Sequence, residues 1–156
     1  MKNKILLLLI VTMMLSMITS CGLLFGHVED AGKVSVVIEN ADGTYDVFEA
    51  NLDSLENKSE GAKGVIEHLD SNNDSFNVEM VDSTYGAYVS AIGSIKESYA
   101  DGMYVMVYTS AITDSYQGAP SIDYNGTTLY QAGVGLSGMS VSDGVVILFR
   151  LEKSPY

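Results

Sequence analysis

The sequence is poor in basic residues and in histidine. Eight Lys and Arg residues stand against twenty Asp and Glu residues, the formal net charge is −12, and only two histidines occur. Proteins that bind the phosphate backbone show clustered Lys and Arg, so a nucleic-acid partner is not predicted. His27 and His68 are expected in a linker and on a helix surface, and no nucleophile–base pair can be assembled from them. We therefore predict no enzyme, no metal site and no cofactor.

Cysteine occurs once, at Cys21. A single thiol cannot close a disulfide within the chain, so its reactivity or modification is the better reason for its presence. It follows two lysines, the apolar run ILLLLIVTMMLSMI and two small residues. This order is typical of an export signal, because the run is shorter than the roughly 20 residues of a membrane-spanning helix. The segment Ile18-Thr19-Ser20-Cys21-Gly22 also resembles the bacterial lipobox, which implies a lipid on Cys21 and a lipoprotein at the extracytoplasmic face of the bacterial cell membrane.

The chain divides into four predicted segments. Residues 1–20 are the lipoprotein signal peptide, and residues 21–32 are the lipidated Cys and a tether without a clean hydrophobic period. Residues 33–152 are long enough for one folded domain with its own core, and residues 153–156 form a tail. Removing the signal peptide leaves six basic residues against twenty acidic ones, a balance that we ascribe to solubility outside the cell.

Strand patterns outnumber helix patterns in the predicted domain. KVSVVIE and YDVFEA flank an Asp-Gly turn and predict a hairpin, and the segments FNVEMV, AYVSAIG, MYVMVYTS and VVILFRLE predict further strands. Ala62, Val65, Ile66 and Leu69 share one face of a predicted helix. The fold class predicted is α+β, with one helix on a mostly antiparallel sheet of about five strands. The most apolar segments, VSVVI and VVILF, are expected to form a parallel central pair.

Two motif matches do not predict a site. Residues 133–138, GVGLSG, fit the glycine spacing of a dinucleotide-binding turn, but a strand pattern follows them where that turn needs a helix. Asp70, Asn72 and Asp74 repeat the first ligand spacings of a calcium loop, but the later Gly and Glu of such a loop are absent. The longest stretch without a clear pattern, residues 110–144, is expected to be an irregular loop.

Tyrosine is abundant, with ten residues, whereas tryptophan is absent. In MYVMVY, residues 104, 106 and 108 share one strand face and residues 103, 105 and 107 the other. If the valines pack on the helix, the tyrosines point outward, where tyrosines of the 110–144 loop could join them around a flat ligand. The candidate ligand-binding residues are Tyr104, Tyr108, Tyr116 and Tyr124. The alternative is that these tyrosines only pack across neighbouring strands.

The predicted domain, residues 33–152, resembles the transcobalamin-like C-terminal domain family, and the matching motifs lie in its second half. The resemblance rests on STYGAYVSAIGSI, MYVMVYTSAI and GVGLSGMSVSDGVVILFRLE, in which Gly86, Tyr88, Val89, Ile92, Gly93, Gly133 and Gly144 occupy motif positions. Tyr104 replaces the Trp that is usual in the aromatic strand, and Val145 replaces an acidic residue. The family implies a β-grasp fold and, in its vitamin carriers, contact with one face of a cobalamin held between two domains.

These observations predict a lipid-anchored extracytoplasmic binding protein that recognises a small molecule, with a corrinoid as one candidate. The alternative is a cell-surface module that binds a protein or glycan through its tyrosines. A concave pocket lined by tyrosines favours the first function, and a flat tyrosine-rich sheet face favours the second.

Overall fold

The computed structural model describes residues 26–153. The predicted signal peptide, the lipidation site Cys21, and the last three residues of the predicted tail lie outside this range. Among the described residues, no helix has the length and apolar character needed to cross a membrane.

Nine strands and one α-helix follow one another along the described chain. The strands are β1 Lys33–Glu39, β2 Tyr45–Asn51, β3 Val78–Val81, β4 Tyr88–Ile92, β5 Ile95–Lys96, β6 Met103–Thr109, β7 Ser121–Tyr124, β8 Thr127–Gln131 and β9 Val146–Lys153. The helix, α1, is Ala62–Asn72, and single 3-10 turns form at Leu52–Ser54, Ile112–Asp114 and Leu136–Gly138.

Six strands form one mixed sheet in the order β2-β1-β9-β6-β8-β7. Strands β1 and β9 are parallel, with Ser35 opposite Val146 and Ile38 opposite Phe149, and every other pairing in this sheet is antiparallel. This confirms the predicted parallel pair of VSVVI and VVILF. Both strands are central, which accounts for their nearly continuous apolar sequences.

One face of this sheet is covered by α1 and by a separate three-stranded sheet, β3-β4-β5. The apolar side chains of β1 and β9 on this face pack with Ala62, Val65, Ile66 and Leu69 of α1, all nearly inaccessible to solvent. A Cβ at Gly64 would lie 2.1 Å from the Asn57 carbonyl oxygen, so glycine lets the helix approach the preceding loop closely. The α+β class with one helix on a mostly antiparallel sheet is confirmed.

The predicted number of strands, about five, is wrong. The segment 110–144, expected to be irregular, contains the β7–β8 hairpin, and β3, β4 and β5 form a second sheet instead of extending the first. The β7–β8 turn is Asn125-Gly126, and both residues have positive φ, +50° and +79°. Asn-Gly between two strands is the strongest short hairpin signal, because both turn residues tolerate this conformation.

The described part of the predicted tether, residues 26–32, is packed on the domain. The Gly26 amide donates to the Ser137 carbonyl (2.8 Å), and the Val141 amide donates to the His27 carbonyl (2.7 Å). Val28 is 2% exposed and pairs in parallel with Val141. Within the described range, residues 26–32 therefore belong to the folded body together with the strands that begin at Lys33. At the other end, Lys153 belongs to β9 and not to a tail.

Candidate functional site

Strand β6 directs its two side-chain faces as the alternation predicts. Val105 and Val107 pack into the core beneath α1 and the three-stranded sheet. Tyr104, Met106 and Tyr108 therefore lie on the opposite face of the six-stranded sheet. The arrangement that the tyrosine hypothesis required, valines inward and tyrosines on the other face, is present.

That other face is not flat and open, because a second core fills its centre. Tyr108, Val37, Leu129 and Leu148 are buried together there, and Tyr124 is among the half-buried residues packed against them. The ring centroids of Tyr124 and Tyr45 are 5.1 Å apart, although these residues belong to the two edge strands, β7 and β2. The sheet therefore curls until its edges meet around Tyr108, whose ring is not available to stack on a ligand.

The hydroxyl of Tyr108 is held by a charged cluster on the same face. It donates to Glu152 Oε1 (2.9 Å), and this carboxylate also lies 3.1 Å from Arg150 Nε. On its other side, Arg150 lies 3.5 Å from Glu39. Burial, and then the hydrogen bond to Glu152, raise the pKa of Tyr108 to about 12, so the hydroxyl is neutral at physiological pH.

The other three candidate tyrosines have different surroundings. Tyr104 packs against Tyr99 with ring centroids 5.7 Å apart. The Tyr99 hydroxyl donates to Glu97, which raises the pKa of Tyr99 to about 12. Tyr116 donates to Gln131 Oε1 (3.0 Å) and borders an open cavity of about 400 Å³ beside Tyr130. The structure brings Tyr108 and Tyr124 into one cluster and leaves Tyr104 and Tyr116 outside it.

A groove lies beside the part of β6 that has no pairing with β8. Strand β8 pairs with β6 only at Tyr108 and Thr109, although β6 begins at Met103. Beside the unpaired part, a cavity of about 170 Å³ opens between β6, the start of β4 and the chain that follows β8. We call it the edge groove, and its lining residues are Ala87, Tyr88, Val105, Met106, Val107, Gln131, Ala132, Val134, Gly135 and Leu136.

Two backbone groups of β6 face this groove without a partner. The Ser110 amide donates to the Val146 carbonyl in β9. In this antiparallel register, the backbone N–H and C=O groups of even-numbered β6 residues therefore point toward β9, and those of odd-numbered residues point toward the groove. There, Met103 pairs with Ser98, the Val105 amide donates to Glu97, and the Val107 carbonyl accepts the Ala132 amide. Within residues 26–153, the Val105 carbonyl and the Val107 amide have no hydrogen bond in this ladder. The groove thus presents one acceptor and one donor, side by side.

Glycines shape the wall of the edge groove that contains Ala87, Gly135 and Leu136. A Cβ at Gly135 would lie 2.6 Å from the Tyr85 carbonyl oxygen and 2.9 Å from the Gly86 Cα, and Gly86 has a φ of +99°. Only glycine permits this approach, in which the Gly135 amide donates to Tyr85 and the Leu136 amide to Ala87. Gly133 and Gly135 thus allow close packing against neighbouring segments, and a 3-10 turn over Leu136–Gly138 stands where a dinucleotide-binding turn would open a helix.

The buried residue Asp114 is hydrogen-bonded on both sides of the 134–136 segment that lines the groove. Asp114 is 6% exposed, and its Oδ2 accepts the Ser140 amide (2.9 Å) while its backbone carbonyl accepts the Gly133 amide (2.8 Å). Burial raises the pKa of Asp114 above its usual value. The Asp114 side chain thus ties the 112–116 loop to Ser140, and its backbone carbonyl ties the loop to Gly133. Nothing in the sequence marked this residue.

Acidic side chains elsewhere do not gather into a metal site. Within residues 26–153, no group of three or more His, Cys, Asp or Glu side chains is placed to hold a metal ion. Asp70 and Asn72 lie in the last turn of α1, and Asp70 accepts the Val78 amide. A polar cavity of about 610 Å³ runs along the exposed side of α1 beside Glu67 and His68.

The sequence matches no family model, and no curated protein is similar to it. Among solved structures, a proposed metal-binding protein of Ruminococcus gnavus is similar, with a TM-score of 0.52 and 16% identity over 79% of this chain and 98% of that chain. Haptocorrin in complex with Cbi has a TM-score of 0.53 and 14% identity, over 78% of this chain and 25% of that chain. At these identities the likeness establishes a distant relationship of fold. The structure thus defines this chain as an α+β domain with a groove at the unpaired edge of β6.

Proposed function

We propose that the chain is a lipid-anchored extracytoplasmic binding protein that takes a small molecule at the edge groove, and that a corrinoid is its ligand. The observation that carries this proposal is the break in the β6 edge, where an apolar groove meets two unpaired backbone groups. Haptocorrin, whose structure contains Cbi, shares the fold at a distance. The β-grasp assignment implied by the sequence resemblance is part of the same proposal.

The size of the groove fits a ligand that is only partly covered. Pockets that enclose a drug-sized ligand have about 300–1,000 Å³, and the edge groove has about 170 Å³. It can take one edge or one substituent of a large ligand, while Tyr88, which is 39% exposed, offers a ring at the rim. We infer that this domain covers one side of its ligand and that another molecule covers the opposite side.

The groove also matches the substituents of a corrinoid. A peripheral carboxamide carries both an N–H donor and a carbonyl acceptor, and these complement the Val105 carbonyl and the Val107 amide. The chain is strongly acidic, and a carboxylate would meet repulsion from the protein and an unsatisfiable contact with the Val105 carbonyl. A neutral amide-bearing ligand is therefore favoured over the corresponding acid.

The test uses protein from Gly22 onward, titrated with cobinamide and followed by calorimetry. Val107→Pro removes the unpaired amide, and we expect it to weaken binding at least about tenfold, the effect of losing one good hydrogen bond together with groove shape. Val47→Pro is the matched control, because the Val47 amide points outward from edge strand β2 and proline is tolerated there. Thermal unfolding checks that both variants are folded.

No binding of cobinamide at millimolar concentration would remove corrinoids from the proposal. Equal weakening by both proline variants would show that the edge groove is not the site. If corrinoids fail, the surface-module alternative gains weight from the exposed Tyr85 and Tyr99, which are 88% and 66% exposed.

The anchor is tested separately. Cys21→Ala should abolish incorporation of a labelled fatty acid and leave an unprocessed precursor in the producing bacterium. A variant that labels like the original protein would show that the lipid is attached elsewhere.

A further inference from the structure

Gly26, the first described residue, and the edge groove lie at the same end of the domain. The first described residue is packed against the domain. Gly26 is buried between Gly61 and Met139, and a Cβ on it would lie 1.9 Å from the Met139 carbonyl oxygen. Five backbone steps separate Cys21 from Gly26, so a lipid on Cys21 lies at most about 18 Å along the chain from the folded body.

Ser137 links this docking point to the groove. Its carbonyl accepts the Gly26 amide (2.8 Å), and its hydroxyl accepts the Ala87 amide (3.3 Å) in the groove wall. Leu136, the neighbouring residue, lines the groove, and Val134 stands at its rim with 45% exposure. Three residues span at most about 11 Å, so Val134 is close to the point where the anchor segment leaves the domain.

The opposite end of the domain is the β1–β2 turn around Ala41. Strand β1 begins at Lys33 near the docked segment and carries the chain seven residues away from it, about 23 Å at 3.3 Å per residue. A domain of this size has a radius of gyration of about 14 Å, so its diameter exceeds the reach of the anchor segment. The anchored end must therefore face the bilayer.

We propose that the anchor holds the 134–136 wall of the edge groove beside the membrane, so that the ligand passes between this domain and a membrane-embedded protein. This inference rests on the proposed lipid at Cys21 and on the proposed groove. Glu29, Asp30 and Asp143 are exposed at this end, and Lys58 Nζ lies 3.4 Å from Asp30 Oδ1, so acidic groups remain in excess there. Anionic headgroups would repel them, which favours a protein partner over direct insertion into lipid.

The geometry is tested on lipidated full-length protein reconstituted into vesicles of phosphatidylethanolamine and phosphatidylglycerol with a headgroup-linked energy acceptor. The thiol of Cys21 is blocked by the lipid, so Val134→Cys and Ala41→Cys can each carry a single donor dye. We expect energy transfer at least about twofold stronger from position 134, given the length of β1 that separates the two ends. Equal transfer, or stronger transfer from position 41, would overturn the inference.

A lengthened anchor is the matched control. Twenty Gly and Ser residues inserted between residues 25 and 26 have a root-mean-square length of about 25 Å, so they should remove the difference between the two dyes. The same insertion should leave cobinamide affinity unchanged in solution and lower ligand uptake by the producing cells. Unchanged uptake would overturn the handover to a membrane protein.

The failures are distinguishable from those of the proposed function. Protein that does not attach to vesicles would overturn the lipid on Cys21 and this inference together. Failure of the soluble protein to bind cobinamide would remove the ligand, while the comparison of positions 134 and 41 would still decide whether the groove faces the bilayer.

Discussion

Tyr108→Phe separates the hydroxyl of Tyr108 from the packing of its ring. The ring is buried in the second core and should stay there, since phenylalanine has almost the same shape. What is lost is the hydrogen bond to Glu152, a carboxylate that is partly exposed and retains Arg150 at 3.1 Å. Hydrogen bonds to charged groups contribute about 1.5–3 kcal/mol, and partial exposure reduces this. We expect a loss of about 1–1.5 kcal/mol in the free energy of unfolding at pH 7, or about 3–5 °C in Tm.

The same hydroxyl makes this loss depend on pH. The pKa of Tyr108 is about 12 in the folded protein and about 10 in the unfolded chain. A raised pKa means that the neutral hydroxyl stabilises the fold fully below pH 10, and that this contribution disappears as the pH rises through 12. At pH 11 the linkage amounts to about 1 kcal/mol. The wild-type protein should therefore lose most of its advantage over Tyr108→Phe by about that pH.

Urea unfolding of both proteins at pH 7, 9, 10 and 11, followed by circular dichroism, measures this difference. The absorbance of tyrosinate provides an independent reading, because the variant should lack one of the groups that ionise near pH 12. A stability difference that stays constant from pH 7 to 11 would refute the reasoning, since it would mean that the hydroxyl is not held in its neutral form by the fold.

Two further substitutions test the walls of the edge groove. Gly135→Ala should destabilise the protein by about 1–3 kcal/mol through overpacking. Its control is Gly138→Ala, which should cost little because the added Cβ would have only ordinary contacts at 3.4 Å. Similar urea midpoints for the two variants would contradict this prediction. Asp114→Asn keeps an oxygen for the Ser140 amide and removes a charge whose burial raises the pKa, so stability at pH 7 should be equal or higher. Because the raised pKa makes the ionised form unfavourable in the fold, this advantage should fade as the pH falls through the raised pKa of Asp114 and be gone by about pH 4. A clear loss of stability at pH 7 would speak against it.

The elements predicted correctly are those whose apolar pattern shows which of their faces is buried. Strands β1 and β9 have nearly continuous apolar sequences, and α1 has an apolar face at helical spacing, so burial against each other was the simplest solution. The β7–β8 hairpin was missed although Asn125-Gly126 marks its turn, because its strands contain too few apolar residues to stand out from the long polar segment. The separate sheet β3-β4-β5 depends on which edges meet in space, and local pattern carries no information about this.

The candidate tyrosines show the same limit. Alternation along β6 gave the correct face for Tyr104 and Tyr108, but it could not reveal that the sheet curls and buries Tyr108 in a second core. MYVMVY carries apolar residues on both faces, which is the signal of a strand covered on both sides. The edge groove has no sequence signal of its own, because its unpaired groups belong to the backbone and arise where β8 ends its pairing with β6.

Strand β9 occupies the middle of the sheet, between β1 and β6, and this position governs when the domain can form. Ser35 pairs with Val146, more than a hundred positions later, so the sheet closes only after almost the whole described chain has been made. Folds dominated by such distant pairings reach the native state in milliseconds to seconds, far more slowly than helical bundles. The export that we propose for this chain would benefit from the delay, because the six-stranded sheet cannot close until β9 has emerged. It also means that loss of β9 would not trim the domain but would leave the edges of β1 and β6 open to pairing with other chains.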